Sequence, residues 1–167
     1  MIIEGKKIQL IAYDFDGVMT DNRVLVMEDG SEGVFCNRSD GLAVETFRNN
    51  GVGQLIISKE RNKVVKARAD KLQIPVLSGI DDKQEMLAAY CRENDIAVES
   101  VLYVGNDLND LEVMKMVGYP VCPSDACKEV IGISKIVTNA KGGFGVIREL
   151  LEYVELTKEE NGVCKSL

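Results

Sequence analysis

The chain contains no histidine. That absence excludes Ser-His-Asp and Cys-His arrangements, the H-E-x-x-H zinc motif and every histidine general base. Catalysis by this chain has to rest on carboxylates, Lys, Ser or Cys. The five cysteines (Cys36, Cys91, Cys122, Cys127 and Cys164) are an odd number without C-x-x-C spacing. They point to reduced thiols rather than a disulfide framework or a zinc site. No segment approaches the roughly 18 consecutive apolar residues of a membrane span, and "MIIEGKKIQL" is too short and too polar for a signal peptide. The expected location is the cytoplasm, with no membrane partner. Basic residues are outnumbered, 20 Lys and Arg against 27 Asp and Glu for a net charge of -7. A nucleic-acid partner is not expected either, because a polyanion requires clustered cations. Internal repeats, low-complexity tracts and linkers are also missing.

What is present fits one domain over 1–167, since a chain of 167 residues can bury roughly two-thirds of its unfolded surface in a single core. The apolar runs "IQLIAY", "QLIIS", "PVLS", "SVLYVG" and "YPVC" alternate with segments of helical period around 40–50, 62–72, 81–94, 107–117 and 145–156. This rhythm predicts an α/β fold with a doubly wound, Rossmann-like, mostly parallel sheet and helices on both faces. Strands apolar on both sides agree with helices covering both. One stretch breaks the rhythm: "RVLVMEDGSEGVFCN" is two β-rich pieces about Asp29-Gly30, which predicts a protruding hairpin at about 24–36. The tail at 157–167, "TKEENGVCKSL", is too polar to pack and is expected to be flexible.

In open α/β sheets, ligands bind beyond the carboxyl ends of the strands. The residues there are Asp14 and Asp16 in "YDFDGVMTDN", then Ser58, Lys83, Asn106 and Asp107, with Asp110 close behind. Side chains two apart in an extended segment point the same way, so Asp14 and Asp16 share a face. Two such carboxylates repel unless a cation lies between them or one stays protonated. With Asp107 they form an oxygen-rich set suited to Mg²⁺. Lys83 opens a helix, where its charge opposes the macrodipole unless an anion is near. Ser58 can offer its hydroxyl and N–H to phosphate oxygens. Taken singly, Asp81, Asp82 and Asp110 read as turn or cap residues, Ser58 as a cap and Lys83 as a solvated side chain. Four strand ends together point to a magnesium-dependent phosphoryl site.

"DFDGVMTD" at 14–21 resembles the D-x-D-G-x-x-[ST]-D nucleophile motif of the haloacid dehalogenase superfamily. Ser58, Lys83 and "GNDLND" at 105–110 are similar to its second, third and fourth motifs. Within that superfamily the chain most resembles the capless phosphatases of 3-deoxy-manno-octulosonate 8-phosphate (KDO 8-phosphate) and of nine-carbon sialic-acid-type 9-phosphates, and the similar domain of acylneuraminate cytidylyltransferases. "CNRSDGLAV", "ARADKL", "VLYVGNDLNDLEVMKMVGYPV" and "GGFGVIRELLE" carry this likeness. The resemblance implies that Asp14 is the nucleophile forming an aspartyl-phosphate and Asp16 the general acid and base. It implies Mg²⁺ held by Asp14, the carbonyl of Asp16 and Asp107. Ser58 and Lys83 would bind phosphate, and Asp110 would orient metal waters. It also implies a homotetramer with the hairpin at its centre.

Where the octulosonate phosphatases carry Gly-Arg after the second motif, this chain has Lys59-Glu60. An Arg fork suits a sugar-acid carboxylate and Glu repels it, so the nine-carbon substrate is favoured slightly over the eight-carbon one. Arg38, Lys59, Lys63 and Arg148 are candidate carboxylate partners, with surface charge as their plainer role. Two rival readings stand beside the phosphatase: a non-catalytic tetramerisation domain of a sugar-acid cytidylyltransferase, and a phospho-acceptor receiver, which the D-x-D spacing disfavours.

Overall fold

The computed structural model describes residues 2–156; Met1 and the polar tail at 157–167 lie outside the described residues. The strands are β1 (Ile3–Glu4), β2 (Leu10–Tyr13), β3 (Leu25–Val26), β4 (Glu32–Gly33), β5 (Gly53–Ser58), β6 (Val76–Ser78), β7 (Val101–Val104), β8 (Tyr119–Cys122), β9 (Ile136–Val137) and β10 (Val154–Glu155). The helices are α1 (Ser39–Asn49), α2 (Lys63–Leu72), α3 (Lys83–Glu93), α4 (Leu111–Met116), α5 (Lys128–Ile133) and α6 (Val146–Tyr153). Six strands form the central sheet in the order β6-β5-β2-β7-β8-β9, and every pairing in it is parallel. The chain winds outward from β2 in one direction through β5 and β6, and in the other through β7, β8 and β9. The order therefore reverses between β2 and β7, and a crevice opens at their carboxyl ends.

Alternation along the strands divides the core into two layers. Ile11, Tyr13, Ile56, Leu102 and Val104 meet Val44, Phe47, Val65, Ile147 and Leu150 of α1, α2 and α6. Leu10, Ala12, Leu55, Ile57 and Tyr103 meet Leu87, Cys91, Val113, Met114 and Val130 of α3, α4 and α5. Burial on both faces explains why these strands read as unbroken apolar runs.

Three details depart from the sequence expectation. The helix expected over 107–117 begins as a 3₁₀ turn, Leu108–Asp110, because the Asp110 carboxylate folds back onto the N–H groups of Asn106 and Asp107. α5 and β9 are too short to show a period. α6 stops at Tyr153, since Val154 and Glu155 leave it to pair with β1.

The expected hairpin is present, with only Leu25–Val26 against Glu32–Gly33 in its ladder and a Thr20–Cys36 bridge at its base. Its turn closes through Gly30 N–H to Met27 O (2.9 Å), with Gly30 at φ 79° and the Asp29 carboxylate accepting the Ser31 N–H. Val24, Leu25, Val26, Met27 and Phe35 are all more than half exposed. Among the described residues no helix is long and apolar enough to cross a membrane.

Candidate active site

The crevice between β2 and β7 is closed at its floor by one backbone bond, Asp14 N–H to Val104 O (2.9 Å). Asp14 follows β2 directly, and its buried Oδ1 accepts the Phe15 N–H at 2.7 Å and lies 2.8 Å from Lys83 Nζ. Among the described residues its Oδ2 receives no hydrogen bond. The chain then makes a tight turn, with the N–H of Met19 and of Thr20 on Phe15 O. The buried Thr20 hydroxyl sits at its centre. It donates to Asp16 Oδ1 (3.3 Å) and accepts the N–H of Gly17 (3.3 Å) and Asn22 (3.2 Å). Gly17 is at φ 79°, and a Cβ there would collide with the side-chain amide of Asn106. The backbone of Gly142 and Gly143 also packs closely against this turn.

Lys83 opens α3, and Asp82 caps that helix by accepting the Glu85 N–H (2.9 Å). The anions that offset the unfavourable helix-start charge are Asp14 and Asp110, each 2.8 Å from Nζ. Asp110 is fully engaged: Oδ1 takes Lys83 (2.8 Å) and the Tyr103 hydroxyl (2.9 Å), and Oδ2 takes the N–H of Asn106 (2.9 Å) and Asp107 (3.3 Å). Its carboxylate thus holds Lys83 and the 105–107 loop, and among the described residues it has no oxygen left over for metal waters. Ser58 ends β5, five residues before the first residue of α2 rather than at the helix start. Its hydroxyl accepts the Glu60 N–H (3.1 Å).

Two carboxylates share one ammonium here, which leaves a buried negative charge in excess. Burial, with the Asp110 carboxylate, pushes Asp14 up to about 8 against the pull of Lys83. Burial acts to lower the Lys83 pKa, but Asp14 and Asp110 together hold it above the ordinary lysine value. The half-buried Asp16 carboxyl is raised by burial, opposed by the Thr20 hydroxyl and reinforced by Glu60. Asp16 is therefore suited to carry a proton.

A cavity of about 120 Å³ is lined by Asp14, Asp16, Ser58, Lys59, Glu60 and Asp107, together with Asn22, Asn106 and Asn109. A second, of about 200 Å³, shares Asp16, Asn22 and Glu60 with it and runs to Arg23, Glu32 and Asn62 under the hairpin. Among the described residues no three His, Cys, Asp or Glu side chains form a cation cage. Mg²⁺ does not need one, since it takes one or two carboxylates and fills its octahedron with water and substrate oxygens. Asn106 Oδ1 is buried without a hydrogen-bond partner, whereas Asp107 is exposed and its Oδ1 caps Leu108 N–H (2.8 Å). An oxygen donor set with one orphaned buried carbonyl and an uncompensated negative charge fits a hard divalent cation.

The structure thus gathers Asp14, Asp16, Ser58, Lys59, Glu60, Lys83, Asp107 and Asp110 at one place. It does not bring Arg38, Lys63 or Arg148 there. Arg38 lines a groove between α1 and α2 with Arg48 and Arg68. Lys63 is exposed at the start of α2, and Arg148 is exposed on α6 with its backbone N–H on Asp40. Sequence reasoning passed over Asn22, Glu32 and Tyr103. Asn22 is held at φ 62°, a state that Asn tolerates better than most residues, and this was the available signal for it. Glu32 reaches the site through the hairpin and gives no local signal.

The family of haloacid dehalogenase-like hydrolases matches residues 44–150. The chain is 32% identical over 166 residues to the 3-deoxy-D-manno-octulosonate 8-phosphate phosphatase KdsC of Yersinia pestis, across 96% of this chain and 86% of that protein. It is 29% identical to the N-acylneuraminate cytidylyltransferase of Oncorhynchus mykiss, over 92% of this chain but only 36% of that protein. Among solved structures, a HAD-family protein from Streptomyces avermitilis superposes with a TM-score of 0.90 at 46% identity, covering 92% of this chain and 88% of that one. The Moraxella catarrhalis 3-deoxy-D-manno-octulosonate 8-phosphate phosphatase, solved with magnesium, phosphate and KDO, superposes with a TM-score of 0.85 at 28% identity, covering 87% and 84%.

Proposed function

Because the chain belongs to the haloacid dehalogenase-like hydrolases, in the 3-deoxy-D-manno-octulosonate 8-phosphate phosphatase group, we propose that it hydrolyses the phosphate monoester of an eight- or nine-carbon 2-keto-3-deoxy sugar acid. The observation that carries this reading is Lys83 Nζ lying 2.8 Å from Asp14 Oδ1 beside the cavity that Asp14 shares with Asp16 and Ser58.

Asp14 Oδ2 attacks phosphorus, the bond from phosphorus to the sugar oxygen breaks, and Asp16 delivers its proton to the departing alkoxide. Asp16 then takes a proton from water as that water attacks the aspartyl-phosphate, which releases inorganic phosphate and restores Asp14. Lys83 and the Ser58 hydroxyl hold the transferring oxygens through both steps. Asp14, the Asp16 carbonyl and Asn106 Oδ1, with Asp107 at the rim, are the residues that would hold Mg²⁺. When bound, the cation supplies the positive charge that lets a phosphate approach a carboxylate.

The second cavity carries Glu32 and Glu60, and Arg23 in it is engaged by Asp21 (2.9 Å). Such walls suit the hydroxyl-bearing end of a sugar acid and repel its carboxylate, which supports a substrate phosphorylated far from the carboxylate and favours the nine-carbon acid. The exposed apolar hairpin supports self-association; the assembly proposed is a homotetramer, acting in the cytoplasm. It is also the observation that favours the second reading, a non-catalytic assembly domain of a cytidylyltransferase.

The test is phosphate release with Mg²⁺ from KDO 8-phosphate, nine-carbon deaminated and N-acetylated 9-phosphates and simple sugar phosphates, with Asp14→Asn as control. A preference within the panel that disappears in Asp14→Asn and in chelator is expected. Negligible turnover by a folded, self-associated protein would transfer the assignment to the assembly domain.

A further inference from the structure

β7 reads Val101-Leu102-Tyr103-Val104, and all four residues are buried to 0% exposure. Only the third carries a side-chain polar atom, and a hydroxyl in such a layer needs a partner. Tyr103 finds it in Asp110 Oδ1 at 2.9 Å, the same oxygen that takes Lys83 Nζ at 2.8 Å. We propose that Tyr103 is a positioning residue for phosphoryl transfer, acting on Lys83 through the shared Asp110 oxygen. The proposal rests on the roles given above to Asp14 and Lys83.

A carboxylate oxygen that receives two donors divides its charge between them. With the phenol in place, Asp110 attracts Lys83 less strongly, and the ammonium stays shared with Asp14, 2.8 Å away on its other side. Without the phenol, Asp110 Oδ1 faces Lys83 alone and draws it away from Asp14 and from the phosphoryl oxygens. The hydroxyl moves no proton in the reaction. Burial first, then the Asp110 and Asp14 carboxylates, hold the phenol well above its ordinary pKa, so it remains a donor.

The adjacent strand supplies a control. Tyr13 on β2 is equally buried, but its hydroxyl donates to Gln54 Oε1 (2.9 Å), and Gln54 Nε2 donates to Val44 O (2.9 Å). That network lies in the opposite layer and ties β2 and β5 to α1. Tyr13→Phe and Tyr103→Phe each remove one buried hydroxyl, and only the second removes one that bears on Lys83.

The experiment compares wild type, Tyr103→Phe and Tyr13→Phe in thermal melts, in kcat and KM with Mg²⁺, and in the Lys83 ammonium resonance of ¹⁵N-lysine-labelled protein, assigned by its loss in Lys83→Met. In Tyr103→Phe, kcat is expected to fall about tenfold with KM changed less than about twofold, and the ammonium resonance to move. In Tyr13→Phe, kcat and the resonance stay at wild-type values while the melting midpoint falls. Equal kcat in the two variants, or a loss confined to KM, overturns the proposal. If the wild type hydrolyses no monoester, the functional assignment fails, and the resonance alone decides: unmoved in Tyr103→Phe, it overturns the positioning role, and displaced, it supports that role. Tyr103→Leu, with an aliphatic side chain native to such strands, serves if the phenylalanine variant does not fold.

Discussion

At the carboxyl ends of β2 and β7 the molecule buries charge and pairs it only in part, two carboxylates on one ammonium. At the hairpin it exposes apolar side chains that nothing among the described residues covers. The Lys83, Asp14 and Asp110 side chains are 2%, 7% and 0% exposed, whereas Leu25, Val26 and Phe35 are 57%, 61% and 69% exposed. Each region departs from what a chain selected for stability alone would do. A buried ion cluster gives little net stability against an apolar replacement of equal volume, and apolar side chains on a short, exposed edge invite association. Chemistry accounts for the first departure, and the proposed self-association would account for the second. The proposed phosphate cavity draws Asp14, Asp16 and Ser58 from this chain, and the walls beyond it are open on the hairpin side.

Removing the ammonium should break the first region most severely. Lys83→Met leaves Asp14 and Asp110 facing each other, and turnover should fall on the order of 10³-fold with a stability loss of about 3–5 kcal/mol. Steady-state kinetics and denaturant melts read both, and near-wild-type turnover would remove Lys83 from the mechanism. The next effect separates two neighbours on one loop. Asn106→Ala should weaken Mg²⁺ binding by about 10–100-fold in calorimetry, while Asp107→Asn changes it by less than about threefold. The reverse ranking would restore Asp107 as the principal donor.

The second region should respond in the opposite way. Leu25→Glu combined with Val26→Lys should lower the assembly mass in sedimentation. Release of phosphate from a small monoester should change by less than about threefold, since the phosphate cavity is built from one chain. An unchanged mass would mean that the apolar row is not the association surface.

Much of this was legible in the sequence because it is local. Apolar runs five or six residues long marked β2, β5 and β7, and the residues directly after them are the ones the crevice collects. Asp14 and Ser58 were legible for that reason, and Lys83 because it opens a helix where its charge opposes the macrodipole. The chain positions of Arg38, Lys63 and Arg148 also lay near conspicuous motifs, but side-chain direction is settled by tertiary packing. Arg148 is turned outward because its backbone N–H is held by Asp40 from another helix. Asn106 stands beside Asp107 among the strand-end residues but without a metal-holding role, since a formal charge is visible in a sequence and an orphaned carbonyl oxygen is not. α5 and β9 escaped because six residues and two residues carry no period.

A further effect concerns another buried carboxylate, one without an ammonium. Asp40 in α1 is 1% exposed, and its Oδ1 accepts the Arg148 N–H (3.0 Å). It thereby caps α6, whose own N-cap, Gly145, has no side chain. Its Oδ2 is buried with no hydrogen bond among the described residues. Burial raises this carboxyl to about 6 from 3.8, against the Arg148 N–H and the Arg68 charge. A folded-state pKa above the unfolded value means that the protonated form is the one the fold prefers. The contribution of Asp40 is therefore fully present below the unfolded pKa and is lost as pH rises through about 6. Asp40→Asn keeps the acceptor oxygen and cannot ionise. Its stability relative to wild type should improve by about 2 kcal/mol between pH 4 and pH 8, read from denaturant melts of both proteins at each pH. If the difference between the two proteins is independent of pH, the fold compensates the Asp40 carboxylate, and the reading of it as an unpaired buried charge fails.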